Sequence, residues 1–403
     1  MLFCNIDLLD EKFETKRNQY VGVKDGRIAY IGASEPEEDF GERYDGRHRL
    51  LMPAFYNVHS HAPMTLLRGY AENLPLQRWL GEKVFPFEDQ IDDEAAYYGT
   101  LLAISEMLAS GTASFSDMYF FFGGMVPAIL ESGIKCNLSR GLTVFDDSDY
   151  TDLPAYRDNV RLRGEWNGAN NGRLIGDLCI HGEYTSNPKI VEAVAQHARE
   201  TGARIQIHLS ETQTEHEECK GRHGLTPAAY MEKHGIFDSP TTAAHCVWLE
   251  DEDFDILKRH GVTVACCPAS NLKLASGYAN VPKMLESGIN VALGTDGAAS
   301  NNNLDMFEEM HLADIMPCGY RHDPTEVSSA EVLDMATVNG ARLQGRSDTG
   351  VLAVGKKADI IALDLDKPHL YPNFDTPTLL TCAAHSSDVV LTMEVGGQSG
   401  LRK

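Results

Sequence analysis

The sequence is poor in positive charge for its size. Its 403 residues include 35 lysines and arginines against 59 aspartates and glutamates, so the formal net charge is −24. Lysine and arginine do not cluster into the basic face that binds nucleic-acid phosphates. The composition therefore excludes an ordinary nucleic-acid-binding protein and favours small molecules or other proteins as partners.

Long apolar runs and paired cysteines are also missing. The longest conspicuous uncharged run, residues 118–130, is interrupted by Pro127 and is too short to cross a bilayer. Asp7 and Asp10 interrupt the segment where a signal peptide needs unbroken apolar residues. The nine cysteines form no CxxC pair, which favours reduced thiols over a disulfide framework. We therefore expect a cytoplasmic protein without a membrane anchor.

What the sequence does contain is a repeated pattern of amphipathic helix, glycine and short apolar strand, in a chain that is 43% hydrophobic. The glycines that end these helices are predicted at Gly111, Gly133, Gly202, Gly261 and Gly288. Strands are predicted before His59 and over residues 112–117, 134–141, 174–181, 204–209, 241–247, 262–267 and 290–294. Eight apolar strands that alternate with helices are typical of a parallel sheet closed into a (β/α)8 TIM barrel.

The two ends of the chain differ from this repeat. Residues 1–52 and 350–403 contain short predicted strands with turn signals and no helical stripe. We predict that they form a small β-sandwich domain built from both termini. The barrel domain is then predicted to span residues 53–349.

The strongest chemical signal is His59-Ser60-His61 at the end of the first barrel strand. Residues two apart on a strand face the same side, so both imidazoles can reach one ion. Similar signals follow at the ends of other predicted strands, at His181, His208, His245 and Asp296. Taken singly, each is as easily a core histidine or a capping aspartate, but the ends of barrel strands converge on one face. The set therefore predicts a metal site on that face.

Three imidazoles and one carboxylate, with one position left for water, suit a catalytic zinc ion that lowers the pKa of bound water to about 7. The predicted strand 174–181 contains no lysine that could be carbamylated to bridge two metals. We therefore expect one divalent metal ion, with zinc as the preferred element.

The order of these residues resembles the amidohydrolase superfamily in its mononuclear deaminase branch. Closer resemblance is to the methylthioadenosine/S-adenosylhomocysteine deaminases and their 5′-deoxyadenosine-deaminating relatives, over residues 15–365. It rests on three segments: LLMPAFYNVHSHAPMTLLRGYAENLPLQRWL, PASNLKLASG and GTDGAASNNNLDMFEEMHLA. The resemblance implies hydrolytic deamination of adenine nucleosides, namely 5′-methylthioadenosine, S-adenosylhomocysteine, 5′-deoxyadenosine or adenosine.

The resemblance also implies the roles of single residues. The metal ligands match His59, His61, His208 and Asp296. Glu211 matches the group that protonates the purine ring nitrogen, and His245 matches the histidine that contacts the metal-bound water. Chemistry favours the same assignment, since deamination needs a proton donor and a base that moves the water proton to ammonia, a role suited to Asp296.

Substrate contacts are implied by the same resemblance. Glu88 matches a carboxylate that accepts hydrogen bonds from ribose hydroxyls, and Arg140 and His181 match further contacts, to which Glu211 and Asp296 add their own. Trp79 is a candidate wall of the nucleoside pocket, with core packing as the equal alternative.

One family feature is absent. The second arginine that holds the carboxylate of S-adenosylhomocysteine corresponds to Ala155 here, with Arg157 nearby. We therefore expect smaller 5′-substituents to be favoured.

Other interpretations remain open from the sequence. The same metal chemistry serves guanine, isoguanine or triazine hydrolysis, and a barrel can also be retained as a non-catalytic scaffold. The polar segment 216–223, with two histidines and a cysteine, is predicted to be a solvated loop. The partners we expect are a small-molecule nucleoside and a second copy of the chain in a homo-oligomer, without nucleic acid or membrane.

Overall fold

The N-terminal residues form five strands in a computed structural model that describes residues 1–393 and the strand Ser399–Arg402. These strands are β1 (Leu2–Leu9), β2 (Thr15–Lys24), β3 (Arg27–Gly32), β4 (Arg43–Asp45) and β5 (Arg49–Pro53). Strand β1 pairs antiparallel with β2 and parallel with β4 and β5. It is buried along most of its length because it lies inside the sheet.

Eight strands form a second, parallel sheet in the order of the chain. They are β6 (Phe55–Ser60), β7 (Thr112–Tyr119), β8 (Lys135–Arg140), β9 (Leu174–Ile180), β10 (Ile205–Leu209), β11 (Thr241–His245), β12 (Thr263–Cys266) and β13 (Asn290–Leu293). The sheet curves into a nearly closed barrel, in which the end of the last strand meets the first. The backbone N–H of Asp296, after β13, donates to the carbonyl of His59 in β6 at 3.0 Å. The predicted TIM-type barrel is confirmed, and all eight predicted strands are present.

Gly294 makes this approach of the last strand to the first possible. A Cβ atom at this position would lie 2.8 Å from the backbone nitrogen of His59 and 2.9 Å from its Cβ. No larger residue fits without moving the backbone that carries His59. Barrel closure and the position of this histidine therefore depend on the same glycine.

Helices follow most barrel strands and end as the sequence predicts. Gly133, Gly202 and Gly261 adopt the left-handed conformation at helix C-termini, with φ of 74°, 64° and 63°. The longer helices span Asp93–Ala109, Phe122–Ser132, Pro154–Arg161, Pro188–Thr201, Gln213–His223, Asp251–His260, Met306–Arg321 and Ser329–Ala336. The shorter ones span Leu76–Trp79, Phe85–Glu88, Ala169–Gly172, Pro227–Lys233, Pro268–Lys273, Val281–Glu286, Val338–Leu343 and Thr376–Cys382.

The prediction of a solvated loop at residues 216–223 was wrong, because Gln213–His223 is a helix. Thr212 caps its start by accepting from the backbone N–H of Glu215, and Gly224 ends it. His216 and Cys219 are buried in this helix. The segment has too few apolar residues to show a helical stripe, so the two caps were the useful signal.

The C-terminal strands β14 (Ile360–Asp364), β15 (Val389–Met393) and β16 (Ser399–Arg402) complete the first sheet. Its order is β16-β15-β14-β5-β1-β2-β3, with β4 paired to β1, so both termini build one mixed sheet. The expectation of a C-terminal segment without helix was wrong, because Thr376–Cys382 is helical and capped by Asp375. Seven residues are too few to show a helical stripe in the sequence.

The chain divides into two compact units. One comprises residues 1–57, 105–114 and 305–403, and the other residues 58–104 and 115–304. The predicted boundary of the barrel at 53–349 stays a prediction, and residues 394–398 and 403 of the predicted β-domain lie outside the described residues. Within the described residues, no helix is both long and apolar enough to cross a membrane.

A buried hydrogen-bonded group stabilises the unit that contains both termini. The Tyr56 hydroxyl donates to Asp359 Oδ2 at 2.6 Å, and the Thr349 hydroxyl donates to the same oxygen at 2.7 Å. We expect Tyr56→Phe to lower the free energy of unfolding by about 2 kcal/mol, because a buried carboxylate loses a donor. Urea unfolding measures the change, with Tyr98→Phe at a position that is 60% exposed as the control. Equal midpoints for both variants would contradict this.

Candidate active site

Five side chains of types that can bind a metal ion meet at the carboxyl ends of the barrel strands. Two overlapping groups have ligand atoms that all lie within 4.8 Å of one another: His59, His208 and His245, and His59, His61 and Asp296. Asp296 Oδ1 lies 3.2 Å from His61 Nε2 and 3.6 Å from His59 Nε2. The structure therefore brings together all four residues that were expected to bind metal.

In three of these histidines, the ring nitrogen Nδ1 forms a hydrogen bond with another group of the protein. His61 Nδ1 lies 2.6 Å from the carbonyl of Met118, and His208 Nδ1 lies 2.7 Å from the carbonyl of His181. His245 Nδ1 lies 2.8 Å from Asn271 Oδ1. A carbonyl accepts only from N–H, so each Nδ1 carries a proton and each Nε2 is directed towards the cluster.

Burial controls the protonation of the cluster. It holds the pKa of His59 and of His208 well below the usual histidine value, with the neighbouring imidazoles acting in the same direction. Burial also opposes the charge of His61, but the hydrogen bond and charge of Asp296 raise the pKa of His61 to about 9. In return, despite burial, the hydrogen bond with His61 holds the pKa of Asp296 well below its usual range. Asp296 is therefore ionised.

Asp296 is fixed by several donors. The backbone N–H of Gly297 donates to Oδ1 at 2.7 Å, and the hydroxyls of Ser270 and Ser300 donate to Oδ2 at 2.7 and 2.8 Å. Asp296 and His245 both have left-handed backbone conformations, with φ of 59° and 72°. Such strain in residues other than glycine is retained where the surrounding structure requires one exact side-chain direction.

Glu211 is buried beside the cluster. Its Oε2 lies 3.9 Å from His245 Nε2, and its Oε1 accepts from the Ser276 hydroxyl at 3.2 Å. Burial raises the pKa of the Glu211 carboxyl, and the negative charge of Asp296 adds to this effect against the opposing imidazole of His245. A carboxyl in this setting holds a proton closer to neutral pH than an exposed one does.

The cluster opens into a cavity with an empty volume of about 630 Å³, which includes the space at its mouth. Of the predicted substrate contacts, it is lined by Trp79, Glu88, His181, Glu211 and Asp296. The further lining is mainly apolar and aromatic: Met64, Leu76, Leu80, Val84, Phe85, Met118, Tyr119, Phe120, Tyr184 and Leu274. Such a lining with a few polar groups suits a small planar ligand.

Glu88 and Trp79 occupy different parts of this wall. Burial raises the pKa of the Glu88 carboxyl to about 6, although an interaction with the Tyr119 hydroxyl opposes the shift. The Trp79 indole donates to the carbonyl of Ala71 at 3.1 Å, so it both faces the cavity and is held in the core. His181 is also at the wall, and burial lowers its pKa to about 4.

Arg140 is the one predicted contact that does not line the cavity in the described part of the chain. Its guanidinium lies beside two lining residues, 5.0 Å from the centre of the Phe120 ring and 2.7 Å from the carbonyl of Gly141, and it pairs with Asp158 at 3.0 Å. Ala155 is buried in the helix that carries Asp158, whereas Arg157 is exposed and donates to a backbone carbonyl at 3.4 Å.

The donor set fits a divalent metal ion. Metal binding requires neutral imidazoles with a free Nε2 and an ionised aspartate. Burial keeps His59 and His208 neutral, and a cation at the cluster would take the place of the His61 Nε2 proton that Asp296 holds. The Nδ1 atoms of His61, His208 and His245 are already oriented by carbonyl groups, which is the outer arrangement of metal-binding histidines.

A parallel barrel with such a cluster at the carboxyl ends of its strands defines the class of metal-dependent hydrolases. The amidohydrolase family model matches residues 50–393. The chain belongs to this family, as the sequence analysis predicted.

Individual relatives agree with this membership. A 5-methylthioadenosine/S-adenosylhomocysteine deaminase of Dictyoglomus thermophilum is 44% identical over 362 residues, which cover 90% of this chain and 84% of the relative. A 5′-deoxyadenosine deaminase of Methanosarcina acetivorans is 42% identical over 382 residues, covering 94% and 87%. The crystal structure of an adenosine deaminase from Xanthomonas campestris with bound zinc has a TM-score of 0.90 and 30% identity, covering 98% and 91%.

These relatives establish the protein as a hydrolase that acts on carbon–nitrogen bonds of cyclic amidines. The zinc-bound neighbour and the cluster together support a divalent metal ion as cofactor. A non-catalytic scaffold is therefore not supported.

Sequence reasoning missed the residues that orient the cluster. Ser270 and Asn271 lie in one short helix and hold Asp296 and His245, respectively. Both fall in the segment PASNLKLASG, which carried the resemblance without an assigned role. Its polar residues after a buried strand were the available signal.

Proposed function

We propose that the protein is a metal-dependent deaminase that converts adenine nucleosides to the inosine analogues and ammonia. The observation that carries this proposal is the Glu88 carboxylate. It is 7% exposed and lines the cavity that holds the cluster. Among the described residues, no group hydrogen-bonds to its buried Oε1 atom. An unused acceptor in an aromatic cavity suits the hydroxyls of a ribose, which a free base lacks.

The metal site in this proposal consists of His59, His61, His208 and Asp296, and zinc is the expected ion. Three imidazoles and a carboxylate are ligands that zinc accepts. A bound divalent ion supplies a Lewis acid that makes water nucleophilic near neutral pH. The relative with 30% identity that carries zinc supports the same element.

The chain's own residues then move the protons. Glu211, with its raised pKa, donates a proton to the purine ring nitrogen as water adds to the neighbouring carbon. Asp296 accepts one proton of the water and delivers it to the departing amine. As the carbon–nitrogen bond breaks, the remaining hydroxyl proton returns to the Glu211 carboxylate, so the products are the oxo purine and ammonia and both carboxyls regain their starting forms. His245 is held by Asn271 with its Nε2 towards Glu211 and the cluster, where it accepts a hydrogen bond from the attacking water.

Substrate contacts follow from the cavity wall. Glu88 accepts hydrogen bonds from the ribose hydroxyls, Trp79 and its aromatic neighbours cover the nucleoside, and His181 contacts the purine. Arg140 lies at the edge of the cavity, beside Phe120. We further propose a cytoplasmic location, in keeping with reduced cysteines, and a homo-oligomer as the working assembly.

An ammonia-release assay tests the proposed reaction. The metal-loaded protein is given 5′-deoxyadenosine, 5′-methylthioadenosine, S-adenosylhomocysteine and adenosine, with guanine as the non-nucleoside arm. Turnover of at least one adenine nucleoside, well above guanine, is expected. Turnover of guanine alone would replace the proposal with a free-base deaminase, and no turnover of any compound would reject it.

The Glu88 carboxylate provides a second prediction. We expect Glu88→Gln to raise KM for nucleosides about 10-fold to 100-fold with a smaller change in kcat, because a charged hydrogen bond to ribose is lost. The pKa of about 6 adds a pH effect. Glu88 is ionised above pH 6 and protonated below it, so KM of the unaltered protein rises as the pH falls through 6.

Glu88→Gln is also the control for this pH effect. Because a glutamine does not titrate, its KM should not rise as the pH falls through 6. The neighbouring exposed Asp89→Asn is the matched control for loss of one charge nearby. A KM that is equal in Glu88→Gln and Asp89→Asn would contradict the ribose contact.

A further inference from the structure

The edge of the cavity carries a positive charge that is already neutralised. The Arg140 guanidinium lies 5.0 Å from the centre of the Phe120 ring, and its Nη1 donates to the carbonyl of Gly141 at 2.7 Å. Both Phe120 and Gly141 line the cavity. The Nε of Arg140 donates to Asp158 Oδ2 at 3.0 Å. The Arg140 side chain is 16% exposed and the Asp158 side chain is 32% exposed.

This charged pair lies on the Glu88 side of the cavity. Tyr119 lines the same cavity as Glu88, where burial raises the pKa of the Tyr119 hydroxyl and the charge of Glu88 adds to this effect. The rings of Tyr119 and Phe120 are 5.3 Å apart, and Arg140 lies over Phe120. A ribose bound at Glu88 would therefore direct a long 5′-substituent along these rings towards Arg140.

The segment after strand β8 is acidic. It carries four exposed aspartates, Asp146, Asp147, Asp149 and Asp152, of which Asp149 is paired with Lys189. Asp158 adds the charge that is in direct contact with the guanidinium. A carboxylate on a substrate would have to displace Asp158 from the guanidinium, which costs free energy.

We propose that Asp158 is a specificity-determining residue that occupies the Arg140 guanidinium in an ion pair. As a result, the enzyme selects nucleosides with a small neutral 5′-group over those whose 5′-group ends in a carboxylate. This inference rests on the proposed nucleoside deamination. Asp158 acts through Arg140 and is a positioning residue, without contact to the reacting atoms. The neutral class is represented by 5′-methylthioadenosine and the carboxylate class by S-adenosylhomocysteine.

The test compares kcat/KM for these two substrates in the metal-loaded protein. The unaltered enzyme is expected to prefer 5′-methylthioadenosine about 10-fold or more. Asp158→Asn frees Arg140 and should raise kcat/KM for S-adenosylhomocysteine about 10-fold, through KM, while the value for 5′-methylthioadenosine changes less than about threefold. Retained activity with the neutral substrate also shows that the variant is folded.

Two further variants test whether the effect depends on the ion pair between Arg140 and Asp158. Asp152→Asn removes the same charge from the same surface without pairing with Arg140 in the described structure, so its substrate ratio should stay near that of the unaltered enzyme. The double variant Asp158→Asn with Arg140→Gln should lose the gain, because the carboxylate then has no guanidinium to bind.

The outcomes separate this inference from the proposed function. Turnover of 5′-methylthioadenosine with an unchanged substrate ratio in Asp158→Asn would overturn the role of Asp158 and leave the deaminase intact. Equal use of both substrates by the unaltered enzyme would do the same. An equal gain in Asp152→Asn would assign the effect to general surface charge and also overturn it. No turnover of either nucleoside by the unaltered enzyme would reject both.

Discussion

Glu211→Gln should lower kcat for nucleoside deamination by about 1,000-fold, with little change in KM or in the amount of bound metal. A glutamine has nearly the same shape and can keep the contact with the Ser276 hydroxyl. It has no acidic proton to give to the purine ring nitrogen, and general acid catalysis of this kind contributes about 100-fold to 10,000-fold. The unchanged KM is expected because the lost interaction belongs to the transition state.

Glu217→Gln is the matched control for this experiment, since Glu217 is an exposed glutamate only six residues along the chain. It should retain the activity of the unaltered enzyme. Steady-state ammonia release gives kcat and KM, and elemental analysis gives the metal content. A Glu211→Gln enzyme within about threefold of the control would assign the ring protonation to another group. A large loss of metal instead would make Glu211 a structural support of the cluster.

Asp296→Asn should have a still larger effect, because one side chain has two proposed tasks. The amide is a poor ligand and cannot accept the water proton, so we expect metal affinity to fall by about 100-fold or more and activity by about 10,000-fold. Raising the pH should not restore activity, because an amide does not ionise. Low activity in excess metal would then reflect the lost proton transfer alone.

The control here is Asp255→Asn, which removes an exposed aspartate from a helix surface. Metal content after dialysis and ammonia release in excess zinc are measured for both variants. Full activity of Asp296→Asn in excess zinc would limit this residue to metal binding. Full metal content together with full activity would remove it from the site altogether.

Much of the fold could be predicted because its signals are local. A strand shows in consecutive apolar residues, and a helix end shows in a glycine such as Gly202, whose left-handed conformation other residues adopt only at a cost. The helices 213–223 and 376–382 were missed for the same reason, since each lacks the apolar stripe on which the prediction depends.

The candidate site was predictable to the extent that it follows strand ends. His59 and His61 are two residues apart on one strand, and parallel strands in a barrel bring His208, His245 and Asp296 to the same edge. The contacts that tune these residues join distant parts of the chain. The bond from Ser270 to Asp296 spans 26 residues, and that from His61 to the carbonyl of Met118 spans 57. No spacing rule in a single sequence reveals such pairs.

The amino-acid pattern alone therefore indicated the barrel, the side chains that meet at the ends of its strands and the family, because period, glycine position and motif are properties of neighbouring residues. Folding in three dimensions was needed to learn which nitrogen of each imidazole faces the cluster, that Glu211 is buried, and that Arg140 is paired with Asp158. Burial and charge pairing set protonation, and both depend on atoms that only the folded chain brings together.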